Sequence, residues 1–416
     1  MPASTQNRVA VLVLGLCCAS VWGQTGVPAK PAPQPEPIDD PFAGLTEAPA
    51  AQPAPQATGR SWLQTFFTEN FGFRKEIMSQ FDSTEQGRPA SRQSVGFEIL
   101  KKFSTGTATV AALDFQGRFV RRDGFHAVPN DMEGQSRPGW AFEYHNLYVD
   151  LYNVLNPFLD DSERGRNAGR FNLRSGHFYV PFGLNLQTDT HGTVLQLSNG
   201  RNFGFERDWY TGIWGTLNRH LNYDAYYLAG SGYDLKFKGQ SGLGAVRISL
   251  ANRYRSEYGL EAGLSLLGGE RLASISGPMT PAARTAGEDP AAGNEIIATR
   301  RAGLDGRVRR PVRNGLLTFS SEFSGGRDRI DTIYSQLHEA EYLHRSRRWG
   351  LAAQYRRFQQ EGLGADASMI GEASWYFRND VGNSNSHWIK LNVERQLERM
   401  KGPPGTIVTL QYYFYR

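Results

Sequence analysis

The side chains of this sequence that could do chemistry are above all its arginines. Of 46 basic residues, 8 are lysine and 38 are arginine. A guanidinium group stays charged at any working pH and binds phosphate or carboxylate through paired hydrogen bonds. Ten basic residues fall on the polar side of segments in which polar and apolar residues alternate: Arg118, Arg170, Arg174, Arg247, Arg301, Arg307, Arg309, Arg356, Arg378 and Lys390.

This arginine pattern has two interpretations, and both stay open. A row of guanidinium groups on one face would favour anions. The same face also carries carboxylates that could neutralise the row by pairing with it: Glu98, Asp114, Glu261, Asp305, Glu372 and Glu394. Because the basic residues are spread along strands and are not clustered with stacking aromatic rings, nucleic-acid binding is not expected.

Motifs for catalysis, cofactors and metals are missing from the sequence. It contains no P-loop, no glycine-rich dinucleotide turn and no HExxH pair, and its eight histidines lack the spacing of metal ligands. Ser198-Asn199-Gly200 resembles part of the His-x-Ser-Asn-Gly motif of outer-membrane phospholipases, but Gln196 stands where the activating histidine is needed. We therefore expect no enzyme, no catalytic residue, no cofactor and no metal. A lipid hydrolase remains an alternative.

The elements that must position the arginines are strands, because an alternation of apolar and polar residues with a period of two predicts them. In the segment from Ile389 to Glu394, apolar and polar residues alternate strictly. A membrane-spanning strand needs about 9–11 residues. Sixteen segments of suitable length are predicted, at 71–82, 95–104, 107–121, 141–153, 169–180, 208–218, 222–231, 243–252, 258–268, 295–310, 315–324, 331–344, 349–360, 367–379, 387–398 and 406–416.

The connections between these segments also follow a pattern. One end of the predicted sheet has short turns, and the other has longer loops near 83–94, 122–140, 181–207, 232–242 and 269–294. This asymmetry, together with a last strand whose apolar side includes Tyr412 and Phe414, is typical of outer-membrane barrels. The sequence therefore predicts an all-β fold, an antiparallel transmembrane β-barrel of sixteen strands. A secreted soluble β-protein is the alternative.

The composition agrees with a barrel. The 416 residues include 46 glycines, 12% are aromatic, and the mean hydropathy is −0.49, which excludes a helical membrane protein. Sixteen strands leave a channel where eight would pack solid. Because an arginine that faces lipid at the midplane costs about 2–4 kcal/mol, we expect the ten basic residues to line a water-filled lumen.

The N-terminal region predicts export. Residues 1–23 have the form of a signal peptide, with Arg8 before an apolar core from Val9 to Leu16. Residues 24–60 are rich in proline and alanine and predict a disordered linker in the periplasm, followed by the barrel at 61–416. Both cysteines, Cys17 and Cys18, lie in the signal peptide, so the exported chain would have no disulfide.

The loop after the fifth segment follows a run that resembles a known family. Arg174-Ser175-Gly176-His177-Phe178-Tyr179-Val180-Pro181-Phe182-Gly183-Leu184 is similar to the Gly-x-Phe-x-x-Pro-Phe-Gly run of the phosphate-selective porin O/P family. The resemblance implies a sixteen-stranded, usually trimeric channel for anions or small solutes. In sixteen-stranded porins this loop, 181–207 here, commonly folds into the barrel, so the candidates for a constriction are Asp189, His191, Arg201, Glu206 and Arg207.

The expected function follows from these points. The chain is predicted to be an outer-membrane porin that lets small hydrophilic solutes diffuse passively, and the first of the two interpretations of the arginines adds a preference for phosphate-like or carboxylate anions. Its expected partners are outer-membrane lipid and the solutes, and a homotrimer rests on the resemblance alone. The alternative is an adhesion or binding barrel whose loops 122–140 and 269–294 contact a partner.

Overall fold

The computed structural model describes residues 69–83, 90–105, 108–123, 140–160, 163–164, 168–184, 195, 207–218, 220–231, 241–251, 259–272, 296–380, 385–400 and 403–416. The predicted signal peptide and linker, residues 1–60, lie outside these ranges and stay predictions. Ser198 and Gln196, on which the lipid-hydrolase alternative depends, also lie outside them.

The described chain is built from strands. They are β1 (Phe71–Asp82), β2 (Ala90–Thr105), β3 (Ala108–Asp123), β4 (Trp140–Leu151), β5 (Asn172–Tyr179), β6 (Arg207–Thr216), β7 (Leu221–Leu228), β8 (Gly242–Ala251), β9 (Leu260–Leu272), β10 (Ile296–Val312), β11 (Gly315–Asp328), β12 (Asp331–His344), β13 (Trp349–Gln360), β14 (Gly364–Asp380), β15 (Asn385–Glu398) and β16 (Thr406–Tyr415). A 3-10 helix, Asn156–Phe158, lies between β4 and β5. No helix in the described ranges is long and apolar enough to span a membrane.

Each predicted segment overlaps one strand, and the predicted sixteen-stranded antiparallel barrel is confirmed. The largest differences are at strand ends. β2 begins at Ala90 and not at 95, because its first residues already pair with the end of β1. β9 and β11 continue to Leu272 and Asp328, beyond their predicted ends at 268 and 324, because both keep pairing with β10.

The sheet closes on itself. Each strand pairs antiparallel with its neighbours in sequence, and β1 pairs with β16. Beyond the last strand residue, the Arg416 N–H donates to the Lys75 carbonyl at 2.9 Å, and the Lys75 N–H donates to the Arg416 carbonyl at 2.6 Å. Tyr415 and Arg416 are therefore both part of the ladder that closes the sheet.

The outer surface of the barrel is apolar. On most strands alternate residues are exposed, for example Leu304 on β10, Phe319 on β11 and Leu351 on β13. The residues that alternate with them are buried or half-buried. In a single closed sheet, the exposed row faces outward and the buried row faces the lumen. We call the end at which β1 begins and β16 ends the near end, and the opposite end the far end.

Aromatic side chains lie on the outer surface of β12 to β16 at the near end. Trp349 lies 5.4 Å from Tyr342 between ring centroids, and His387 lies between Phe377 at 4.6 Å and Tyr412 at 5.5 Å. Rings at this position suit the boundary between lipid tails and headgroups. At the far end Tyr227 and Tyr334 are exposed on the outside.

The outward position of Leu304, in the middle of β10, generates a prediction. Leu304→Arg should reduce folding into lipid vesicles, because arginine costs about 2–4 kcal/mol at the midplane of a barrel's lipid face. The matched control is Val312→Arg on the same strand and face, at the near end, where the cost is about 0–1 kcal/mol. The fraction of chain protected from protease in vesicles measures both. Equal loss in the two variants would contradict this orientation.

Candidate functional site

The inner wall of the barrel carries the predicted basic residues in ion pairs. Among the ten, Arg118, Arg247, Arg301, Arg356 and Lys390 are buried on the inward row. Arg174 and Arg307 are half-buried on the same row. The N···O distances of the wall pairs are: Arg118–Glu76 3.8 Å, Arg174–Asp150 2.7 Å, Arg247–Asp305 2.7 Å, Arg301–Asp328 2.6 Å, Arg307–Glu261 3.5 Å, Arg356–Glu394 2.7 Å and Lys390–Glu372 3.0 Å.

The carboxylates match those that the sequence offered as partners. Glu261, Asp305, Glu372 and Glu394 appear in these pairs, and Glu98 pairs with Arg74 at 2.9 Å and accepts a hydrogen bond from the Tyr415 hydroxyl. Asp114 accepts a hydrogen bond from the Tyr148 hydroxyl at 3.3 Å. Most of these basic residues thus have a nearby carboxylate, so the pairs themselves carry little net charge.

Some of these pairs join strands that are not neighbours. Arg247 on β8 reaches Asp305 on β10 across β9, where Gly263 lies beneath the pair. A Cβ at Gly263 would lie 2.6 Å from Arg247 Nη2 and 2.5 Å from Asp305 Oδ2. A larger residue at this position would displace the ends of both side chains, so a glycine on β9 suits the ion pair in this geometry.

Three of the predicted basic residues have other surroundings. Arg170 is exposed in the turn before β5, and its carbonyl accepts the Tyr223 hydroxyl at 2.8 Å. Arg309 is half-buried opposite Thr318 on the inward row. Arg378 follows a register shift after Tyr376, which sets it opposite the outward His387 and leaves it exposed. The bulge therefore moves Arg378 off the lumen side on which strict alternation had put it.

Of the five candidates for the constriction, only Arg207 is within the described residues. Asp189, His191, Arg201 and Glu206 lie outside them, so their role stays a prediction. Arg207 is the first residue of β6 and is buried. Its Nη2 donates to the Tyr179 hydroxyl at 2.6 Å, and its guanidinium lies 4.0 Å from the centroid of the same ring. Arg207 therefore lies on the outward row of β6, the same row as the exposed Thr211.

The start of the predicted loop crosses the inside of the barrel. After β5, the Gly183 N–H donates to Ser265 Oγ on β9 at 3.0 Å, and the Leu184 N–H donates to Glu322 Oε1 on β11 at 2.7 Å. These acceptors lie four and six strands away from β5 around the closed barrel. Residues 181–184, which we call the crossing segment, therefore lie within the lumen and are bonded to a distant part of its wall.

Two glycines make room for the crossing segment. Gly303 on β10 faces Phe182, and a Cβ there would lie 2.8 Å from the Phe182 ring. Gly183 has φ of 61°, and a Cβ would lie 2.6 Å from Glu322 Oε2. Phe182 is consequently 1% exposed although it belongs to a connection.

The crossing segment packs on an apolar part of the inner wall. Phe182 and Val180 belong to one cluster with inward side chains of β4 to β9: Tyr148, Phe178, Tyr210, Tyr226, Leu228, Leu243, Ala245 and Leu267. On β10 to β16 and on β1 to β3, most buried inward residues are polar or charged. The lumen thus has an apolar side, covered by the crossing segment, and a polar side.

Sequence reasoning missed several charged residues of the wall. Arg271 pairs with Asp328 at 2.6 Å, and both lie beyond the predicted ends of β9 and β11. The signal that could have found them is the alternation itself, which continues through Leu267, Gly269 and Arg271 on one row of β9. Arg74 and Asp150 were also missed, although both lie on the inward row within predicted segments.

Comparisons with known proteins show the fold. No protein-family model and no curated protein sequence match the chain. It is similar to the high-pH structure of OprB from Pseudomonas putida, with a TM-score of 0.57 and 8% identity over 83% of this chain and 94% of that one. It is also similar to an anion-selective porin from Comamonas acidovorans, with a TM-score of 0.50 and 9% identity over 83% and 98%. The likeness supports the porin-type barrel and does not confirm the phosphate-selective porin O/P family.

The close contact of Phe182 with Gly303 generates a prediction. Gly303→Leu should destabilise the barrel by about 1–3 kcal/mol, because the added side chain has no room beneath the ring. Gly306→Leu is the matched control on the same strand, where a Cβ would meet only the Glu261 carbonyl at 3.6 Å. Urea unfolding in detergent, followed by tryptophan fluorescence, measures both. A Gly303→Leu midpoint equal to that of Gly306→Leu would contradict this packing.

Proposed function

We propose that this protein is an outer-membrane porin that lets small hydrophilic solutes diffuse passively through its lumen. The observation that carries the proposal is the crossing segment, bonded to Ser265 and Glu322 inside a closed barrel. A segment held within the lumen limits the width of a passage without any catalytic group. The polar wall supports the same conclusion. Ion pairs and amides can form hydrogen bonds with a passing solute and with its water shell, and an apolar core cannot.

The polar side of the lumen is the route that we propose for solutes. The apolar cluster and the crossing segment lie on one side of the lumen, against inward apolar residues of β4 to β9. Across from them, inward residues such as Thr409 and Gln411 on β16 offer hydroxyl and amide groups. Water and hydrated ions are stabilised beside such groups and excluded from the apolar side.

A preference for anions, in the class of phosphate or carboxylate, is part of the proposal. Most wall arginines have a carboxylate each, so these pairs give little net charge. An exception is the place where Arg271 and Arg301 share the single carboxylate of Asp328. One of the structural neighbours is described as an anion-selective porin. The preference therefore depends on local surplus charge more than on the total number of arginines.

The remaining parts of the proposal concern the cell envelope. The apolar outer surface supports a place in the outer membrane of a Gram-negative-type envelope. Residues 1–23 are proposed as the signal peptide and 24–60 as a periplasmic linker, with residues 61–416 as the barrel domain. A homotrimer is proposed on the resemblance to the porin family alone.

Conductance in a planar lipid bilayer tests the proposed function. The purified chain without residues 1–23 should insert and give stepwise conductance, and the reversal potential under a KCl gradient should have the sign of chloride preference. A chain that inserts and stays silent would contradict the porin and favour the adhesion barrel. A potential of the opposite sign would contradict the anion preference and leave the porin standing.

Single cysteines test the proposed route. The chain has cysteine only at positions 17 and 18, so a new thiol in the barrel is unique once the predicted signal peptide is removed. Thr409→Cys should react with a charged methanethiosulfonate and reduce the conductance, since Thr409 faces the polar side. Ala245→Cys, on the apolar side, should leave the conductance unchanged. The reverse pattern would place the route on the apolar side.

A further inference from the structure

We propose that Arg271 and Arg301 form a binding site for a small oxyanion, such as free phosphate or a carboxylate, on the inner wall at the far end of the barrel. The inference deepens the proposed function, because it names a place at which anions are drawn from solution to the lumen. Among the wall ion pairs, these two arginines share one carboxylate, that of Asp328, and neither of them bonds to the crossing segment in the contacts described above.

The site is built by the ends of three adjacent strands. Arg271 is the last residue but one of β9, Thr299 and Arg301 lie near the start of β10, and Asp328 ends β11. The register sets Thr299 opposite Asp328 and Arg271 opposite Ile297, so the side chains of all three strands meet on the inward row. Two positively charged groups therefore converge on one carboxylate.

The carboxylate of Asp328 cannot satisfy both guanidinium groups. Arg271 Nη2 and Arg301 Nη2 both donate to its Oδ2 at 2.6 Å, and the Thr299 hydroxyl donates to its Oδ1 at 2.6 Å. Arg271 Nε, Arg271 Nη1 and Arg301 Nε have no acceptor within the described part of the chain. Two cations and one anion leave a local charge of one positive unit.

Burial makes this surplus charge significant. The Arg271 side chain is 0% exposed and that of Arg301 is 1% exposed. A buried donor without an acceptor is costly, and a buried charge without a partner is more so. The group that would remove both costs carries negative charge and several acceptor oxygens, which is the chemistry of an oxyanion held by arginine forks.

The backbone of Gly230, just after β7, lies close to Arg271. Gly230 has φ of 70°, and a Cβ there would lie 3.2 Å from Arg271 Cα. The Gly230 N–H donates to Asp208 at 2.7 Å, and the carboxylate of Asp208 also accepts the Trp209 N–H at 2.8 Å.

Isothermal titration of the refolded full barrel in detergent tests the site, with inorganic phosphate, sulfate and acetate as separate probes at fixed ionic strength. The wild-type chain should bind at least phosphate, and Arg271→Gln should weaken that binding about tenfold or more, because charge-assisted hydrogen bonds are lost. The matched control is Arg300→Gln, adjacent in sequence and exposed on the outer face. It removes the same charge and should leave phosphate binding unchanged.

The variant Asp328→Asn distinguishes a binding role of this group of side chains from a purely structural role. It removes the negative charge that competes with the ligand, so phosphate should bind more tightly than to the wild type, whereas a purely structural role of Asp328 would give weaker binding or none. This variant also keeps the proposal testable if Arg271→Gln does not fold. Absence of binding by all three anions, equal loss in Arg300→Gln, or weaker binding by Asp328→Asn would overturn the proposal.

The failure of the site and the failure of the porin are distinguishable on the same preparations. A chain that conducts in bilayers and binds none of the three anions contradicts the site alone. A chain that binds phosphate through Arg271 and gives no conductance contradicts the porin alone.

Discussion

The pairing of β1 with β16 is the interaction on which the rest of the structure depends. A sheet in lipid has no water to satisfy an open edge, so every backbone N–H and C=O must find a partner within the sheet. The ladder between Glu76 and Tyr415, extended by Lys75 and Arg416, removes the last edge. Once the sheet is closed, each strand has only an outer and an inner row of side chains. The outer row must be apolar enough for lipid, and the inner row must suit the lumen.

The inner row meets a second constraint, since charged groups removed from bulk water need partners. Pairs such as Arg356–Glu394 at 2.7 Å satisfy it locally, and Arg247–Asp305 satisfies it across an intervening glycine. The crossing segment follows the same rule, because its N–H groups end on Ser265 and Glu322. A wall balanced in this way has little net charge, so any selectivity for sign must come from places where the balance fails, as at Asp328.

Much of the fold and part of the site were predictable from the sequence. Alternation with a period of two identified all sixteen strands, since a strand between lipid and lumen must alternate. It also indicated the inward arginines, but it could not see the bulge that turns Arg378 outward, because a bulge depends on how two strands pair. The contacts of Phe182 with Gly303 and of Leu184 with Glu322 join residues more than a hundred positions apart, and no local pattern encodes them.

Electrophoretic mobility of the purified chain in detergent, with and without heating, tests the closed barrel most directly. A closed sheet resists unfolding by detergent, so the unheated protein should migrate faster than the boiled one and should precipitate when the detergent is removed. A chain that migrates equally before and after boiling, and stays in solution without detergent, would contradict the closed cylinder with its apolar outer surface.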